Sequence, residues 1–175
     1  ININHGAEIK GTGKESIGYA MLKGTGINAG TIDVTGHNKN AATKSDYNGS
    51  IGFYGVKGTF TNTGTIKTSG NLAHSVVLRQ NSTTQGEMKF HHYGEINVTS
   101  PDGIAPNGAT GNIGVFSDGY ALANFYGGSK IYVGDDSIGI HTSKEDAFNN
   151  TFKNHGTLNI KIGKRSTFAY LNGNA

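Results

Sequence analysis

The sequence predicts an all-β solenoid of about six three-strand coils, and three observations predict it. One strand–turn–strand motif can be laid over the chain six times. Its second strand reads Ser16-Ile17-Gly18-Tyr19, Ser50-Ile51-Gly52-Phe53, Ser75-Val76-Val77-Leu78, Asn112-Ile113-Gly114-Val115, Ser137-Ile138-Gly139-Ile140 and Thr167-Phe168-Ala169-Tyr170. The first strand of each unit follows a glycine at Gly6, Gly30, Gly64, Gly94, Gly127 and Gly156. The steps from Ile17 to Phe168 average roughly 30 residues, a period typical of solenoids and arrays. Composition agrees: 28 glycines, abundant Thr, Asn and Ser, 2 prolines and no tryptophan are the mix of short strands joined by tight turns. No window carries apolar residues at helical spacing over three turns.

Coil 2 shows the pattern most plainly. Ile27 belongs to a short strand ending at Asn28-Ala29-Gly30, and Thr31-Ile32-Asp33-Val34-Thr35 is the next. Period-2 alternation puts Ile32 and Val34 on one face and Asp33 on the other. After a polar stretch from Gly36 to Gly49, Ser50-Ile51-Gly52-Phe53 returns with Ile51 and Phe53 expected inward. Three strands with such burial describe a three-sided parallel coil. The inward set recurs as Phe60, Ile66, Val76 and Leu78, then as Phe90, Ile96, Val98, Ile113 and Val115. At the end it recurs as Phe152, Leu158, Ile160, Phe168 and Tyr170. One coil cannot close a core alone; stacking neighbours about 4.8 Å apart pairs the backbone groups and covers the apolar faces.

The corners account for the remaining pattern. Gly30, Gly64 and their equivalents stand where the chain turns sharply, which suits glycine. Asn4, Asn28, Asn62 and Asn154 occupy the slot two before that glycine. Stacked, they would form an amide ladder along the axis, interrupted by His92 and Phe125; the alternative is that each simply fits a turn. A β-sandwich with hairpins at Asn48-Gly49, Asn107-Gly108 and Asn172-Gly173 does not predict six copies of one motif. Propeller blades run longer and hold four strands.

The formal charge is +3 and cysteine is absent. Lysines are dispersed except for Lys161, Lys164 and Arg165, so no basic stripe predicts nucleic-acid binding. No run of about 18 apolar residues exists to span a bilayer as a helix. The chain opens on Ile1 inside the repeat pattern and stops just after a second strand. The expectation is a single β-helical segment, residues 1–175, cut from a longer array.

Gly-Thr-Ile-Asp-Val-Thr-Gly (30–36), Gly-Thr-Ile-Lys-Thr-Ser-Gly (64–70) and the recurring Ser-Ile-Gly-(Phe/Ile) resemble the passenger domains of large bacterial autotransporters. They look most like the long, glycine- and asparagine-rich adhesins of fusobacteria. The resemblance covers the whole chain as a style of repeat. It implies a right-handed parallel β-helix, displayed on the bacterial surface and anchored in the outer membrane by a C-terminal barrel absent here. It also implies adhesion to a host-cell protein or glycan, or to other bacteria. The alternatives are a structural spacer with no ligand of its own and, more remotely, a polysaccharide-acting β-helix enzyme.

Catalysis on such a scaffold needs carboxylates converging on one face. In the strand register Asp33 is expected beside Lys67, Asn97 and Asn159, so no acidic column forms. Asp135-Asp136 is an adjacent loop pair, and a single short turn seldom supplies the six to eight oxygens that calcium takes. His91 and His92, neighbours on one strand, point to opposite faces. The expectation is therefore no catalytic residue, metal or cofactor. Insertions are the better candidates, because they gather on one face of a solenoid. The first runs from Gly36 to Gly49 and carries His37, Lys39, Lys44, Asp46 and Tyr47; the second runs from Ser100 to Gly111 and carries Pro101, Asp102 and Pro106. Two coils apart over one corner, they would flank a ligand groove. Tyr54, Tyr93, Tyr120 and Tyr126 fall beside inward positions or at corners. There they suit either ligand stacking or cross-strand stacking that stiffens the rod.

Overall fold

The computed structural model describes residues 1–13, 15–35, 49–70, 72–79, 88–99, 112–142 and 150–171. Six coils follow one another, each of three strands. They are β1 (Asn2–Ile3), β2 (Glu8–Thr12) and β3 (Ile17–Met21); β4 (Gly24–Asn28), β5 (Thr31–Thr35) and β6 (Ile51–Gly55); and β7 (Gly58–Asn62), β8 (Thr65–Ser69) and β9 (His74–Arg79). Then come β10 (Met88–His92), β11 (Glu95–Thr99) and β12 (Ile113–Asp118); β13 (Leu122–Tyr126), β14 (Lys130–Val133) and β15 (Ile138–Thr142); and β16 (Thr151–His155), β17 (Asn159–Ile162) and β18 (Thr167–Tyr170). Every third strand pairs in parallel, giving three six-stranded sheets. Sheet A runs from β1 to β16, sheet B from β2 to β17 and sheet C from β3 to β18. This is a parallel β-helix of six three-strand coils, as the repeat predicts.

In-register pairing turns each coil position into a column along the axis. Sheet B points Ile9, Ile32, Ile66, Ile96, Ile131 and Ile160 inward as one continuous column. Ile32, Ile66, Ile96 and Ile131 are fully buried. Sheet A contributes Phe60 and Phe90, whose rings stack at 6.4 Å, and Phe53 of sheet C packs face to face on Phe60 at 3.8 Å. Where Gly26 replaces phenylalanine in that column, Tyr19 fills the space; a Cβ on Gly26 would come within 2.8 Å of its hydroxyl.

Sheet C departs from strict alternation. Added Cβ atoms on Gly18 and Gly52 would strike the inward Ile32 and Ile66, so these glycines face the interior. Phe53, the next residue, also lies in the central core. Two consecutive inward residues leave Ile51 and Ile113 outside it. They form a separate buried cluster with Val77 and Phe116, flanked by Tyr54 and Ile138, on the outer side of sheet C. The inward assignment of Ile51 and Ile113 is thus corrected: Ser-Ile-Gly places its isoleucine out and its glycine in, because a side chain on the glycine would collide with sheet B.

Register also differs from the motif alignment in two coils. Ile51 pairs His74 and Phe53 pairs Val76, so Ser75 stands opposite Gly52 rather than Ser50. There it faces inward and its hydroxyl shares a 2.8 Å hydrogen bond with that of Thr68. Thr167 pairs Ile138 and Ala169 pairs Ile140. That one-residue shift sends Tyr170 outward, 52 % exposed and edge-on to His141, while Phe168 still packs on the core. Among the four short corners from sheet B to sheet C, Glu15, Leu72, Asp136 and Arg165 each adopt a left-handed φ of 52–56°.

Candidate functional site

The eight residues singled out in the two long insertions lie outside the described residues. The segments carrying them join β5 to β6 and β11 to β12, both from sheet B to sheet C.

Within the described residues, the outer wall of sheet B presents three in-register columns of largely polar side chains. Its columns are Glu8–Thr31–Thr65–Glu95–Lys130–Asn159, Lys10–Asp33–Lys67–Asn97–Tyr132–Lys161 and Thr12–Thr35–Ser69–Thr99. Lys161 thus takes the place expected for Asn159, and no acidic column exists here. Neighbouring coils neutralise one another. Lys67 donates to Asp33 at 3.1 Å, Lys130 lies 3.7 Å from Glu95, and Thr35 shares a 3.0 Å hydrogen bond with Ser69.

Two grooves border this wall. One, of about 500 Å³, takes in Asn97, Thr99, Tyr132, Asp135 and Lys161. The other, of about 310 Å³, lies at the corner from sheet A and takes in Thr63, Thr65, Tyr93, Glu95 and Lys130. Its floor is bare backbone at Gly64 and Gly94. A Cβ at Gly94 would collide with the Gly64 carbonyl of the coil before, so the close stacking of coils keeps this floor free of side chains.

An aromatic column runs along the same corner. Tyr93 and Tyr126 stack at 4.1 Å with planes 5° apart, and Tyr126 stacks on His155 at 4.8 Å. His91 shares a 2.9 Å hydrogen bond with the Tyr126 hydroxyl, and His155 Nε2–H donates to Asn124 Oδ1. Burial, then the neighbouring Tyr93, pushes the Tyr126 phenol up. The cross-strand stacking expected for the tyrosines is seen at Tyr93 and Tyr126, and Tyr93 remains 45 % exposed.

One slot inward, Ile3 rather than Asn4 stands beside Asn28. Asn28 Nδ2 donates to Asn62 Oδ1 at 2.8 Å and Asn62 Nδ2 reaches His92 Nδ1 at 3.1 Å. His92 Nε2–H then donates to the Lys130 carbonyl at 3.1 Å. His92 therefore prolongs the ladder rather than interrupting it, since an imidazole Nδ1 accepts just as an amide oxygen does. Asn28 Oδ1 accepts from the Gly30 N–H, and Asn62 Nδ2 also donates to the Gly64 carbonyl. Those anchors orient both amides, so only neutral His92 fits. Burial lowers its pKa to about 4, opposed by the hydrogen bond to Lys130. Phe125 ends the run, edge-on to the imidazole.

At the corner into sheet C, Asp135 and Asp136 serve structure. Asp135 Oδ1 accepts from the Lys164 N–H at 2.7 Å, and Asp136 takes a bidentate contact from Arg165 at 2.6 Å. The Arg165 guanidinium holds the Asp136 carboxyl below its usual range. No described residues group three or more His, Asp or Glu where they would hold a metal ion. The arrangement can stack a ring, exchange hydroxyl hydrogen bonds and present paired charges. Tyr132, Glu95, Lys130 and Thr63 were not singled out from sequence, because their proximity follows from register. The chain matches no protein-family model, no curated protein and no solved structure.

Proposed function

We propose that this chain is a β-helical segment of a bacterial surface adhesin of the autotransporter type, meeting a host cell or another bacterium through the outer wall of sheet B. The observation that carries the reading is that wall, polar and solvent-facing, with a tyrosine-bearing groove on either side. The repeat style described above supports the autotransporter setting, with a membrane anchor elsewhere in the parent chain. Binding rather than catalysis is supported by Asp33, Glu95, Asp135 and Asp136, each of which is engaged with a lysine, arginine or backbone partner. Release of reducing ends from a polysaccharide panel would overturn that part of the reading.

A second reading is a shaft that projects a binding tip. It is favoured by the stack of Tyr93, Tyr126 and His155, which uses ring faces on one another. The test is binding of the purified chain to host cells and to partner bacteria. A Tyr93→Ala/Tyr132→Ala variant and a variant with Gly36–Gly49 and Ser100–Gly111 shortened are measured beside it. Loss in the tyrosine variant supports the sheet B wall, and loss only in the shortened one moves the site to the insertions. No binding by a folded chain makes the segment a shaft.

A further inference from the structure

We infer that the groove beside Tyr93 is a seat for one pyranose ring of a neutral glycan, an inference that deepens the adhesin reading and rests on it. Register places Ala29, Thr63, Tyr93, Tyr126 and His155 in one column along a single corner. Three stacked rings follow two small residues. Tyr126 has both faces covered, by Tyr93 and His155. Tyr93 has one face on Tyr126, and its other face looks along the axis to Thr63, where the column holds no ring. The groove opens at that step, with the glycine floor below it.

A half-exposed aromatic face with hydrogen-bonding groups at its rim matches the two sides of a pyranose. The C–H face of the sugar packs on the ring, and its equatorial hydroxyls need donors and acceptors at the edge. Glu95 supplies an acceptor and Lys130 a donor. Their 3.7 Å separation is longer than a tight charge-assisted bond of about 2.8 Å, so a hydroxyl set beside the pair can bridge them, donating to Glu95 and accepting from Lys130. The Thr63 hydroxyl donates to the Asn28 carbonyl at 3.2 Å, which leaves its oxygen to accept. Side by side, Glu95 and Lys130 cancel in charge, so the groove favours neither an anionic nor a cationic sugar. The other groove also has a tyrosine, but Tyr132 lies within a sheet face between Asn97 and Lys161, not at the end of a ring stack.

The test applies the labelled chain to an array of neutral oligosaccharides, with sialylated and sulfated glycans alongside. The expected result is retention on neutral glycans. Tyr93→Ala should weaken it about tenfold, the loss of one aromatic contact, while Tyr93→Phe retains binding. Glu95→Gln should weaken binding without disturbing the ring stack. Circular dichroism of each variant separates lost binding from lost fold. Binding to anionic glycans alone, no retention of the folded chain, or undiminished binding by both Tyr93→Ala and Glu95→Gln would overturn the inference. Cell adherence measured on the same preparations separates the two readings. Adherence that survives in Tyr93→Ala counts against this groove alone, whereas a folded chain that never adheres counts against the adhesin reading.

Discussion

Acidification from pH 7 to 4.5 is expected to weaken the fold through His92 and His74. Both have pKa values lowered to about 4 by burial. His92 is held neutral between Asn62 and the Lys130 carbonyl. His74 donates from Nδ1 to the Leu72 carbonyl, and its buried Nε2 has no partner. A histidine whose folded pKa is depressed is protonated first in the unfolded chain. Stability therefore begins to fall as pH drops through about 6.5, and the loss is complete near the folded value of about 4. From 6.5 to about 4, at about 1.4 kcal/mol per pH unit, the loss is roughly 3 kcal/mol for each histidine. Two such losses rival the whole stability of many domains, about 5–15 kcal/mol. Asp136, lowered by Arg165, titrates below this window. The assay is urea unfolding followed by circular dichroism at half-unit pH steps, with hydrogen exchange to locate the opening around β7 and β10. His92→Asn keeps an accepting oxygen for Asn62 and should remove about half of the slope. His74→Ile completes the outer column of Ile17, Ile51, Ile113 and Ile138 and should remove most of the rest. Constant stability between pH 7 and 4.5, or a His92 ring titrating near 6.5, would refute the reasoning.

Other substitutions probe other parts of the coil by the same unfolding assay. Phe60→Ala empties a fully buried site stacked on Phe53 and Phe90 and should cost about 3–5 kcal/mol. Gly26→Val drives methyl groups toward the Tyr19 hydroxyl and Phe60 and should cost about 1–3 kcal/mol. Glu15→Gly relieves a left-handed residue at φ 55° and should add about 0.5–1 kcal/mol after glycine's own entropy is counted. Lys67→Met breaks a half-exposed pair with Asp33 and should change stability by no more than about 1 kcal/mol.

The strands of sheet B were legible because period-2 alternation repeats without interruption, as in Thr31–Thr35 and Thr65–Ser69. Sheet C was less legible, since two inward residues in a row at Gly52 and Phe53 defeat any rule of alternation. Ser75 invited a false alignment with Ser50 because serine suits both a corner and a small inward slot. The ladder was half visible: the asparagines announce themselves, but His92 reads as an interruption until its Nδ1 is seen to accept. The Tyr93 groove was hidden for a different reason. Thr63, Tyr93 and Lys130 are far apart in sequence, and only the register of coils 3 to 5 brings them together.

In-register columns also decide how the molecule answers a pull. The hydrogen bonds of all three sheets run from coil to coil, parallel to the axis. Tension on the two chain ends therefore loads one terminal coil at a time, and that coil peels without disturbing its neighbours. A coil of about 30 residues that occupied roughly 4.8 Å of rod would release about 100 Å of extended chain. Steps of that length in single-molecule pulling would report the peeling. A tether built this way lengthens about twentyfold, one coil after another, and limits the force that reaches whatever it holds.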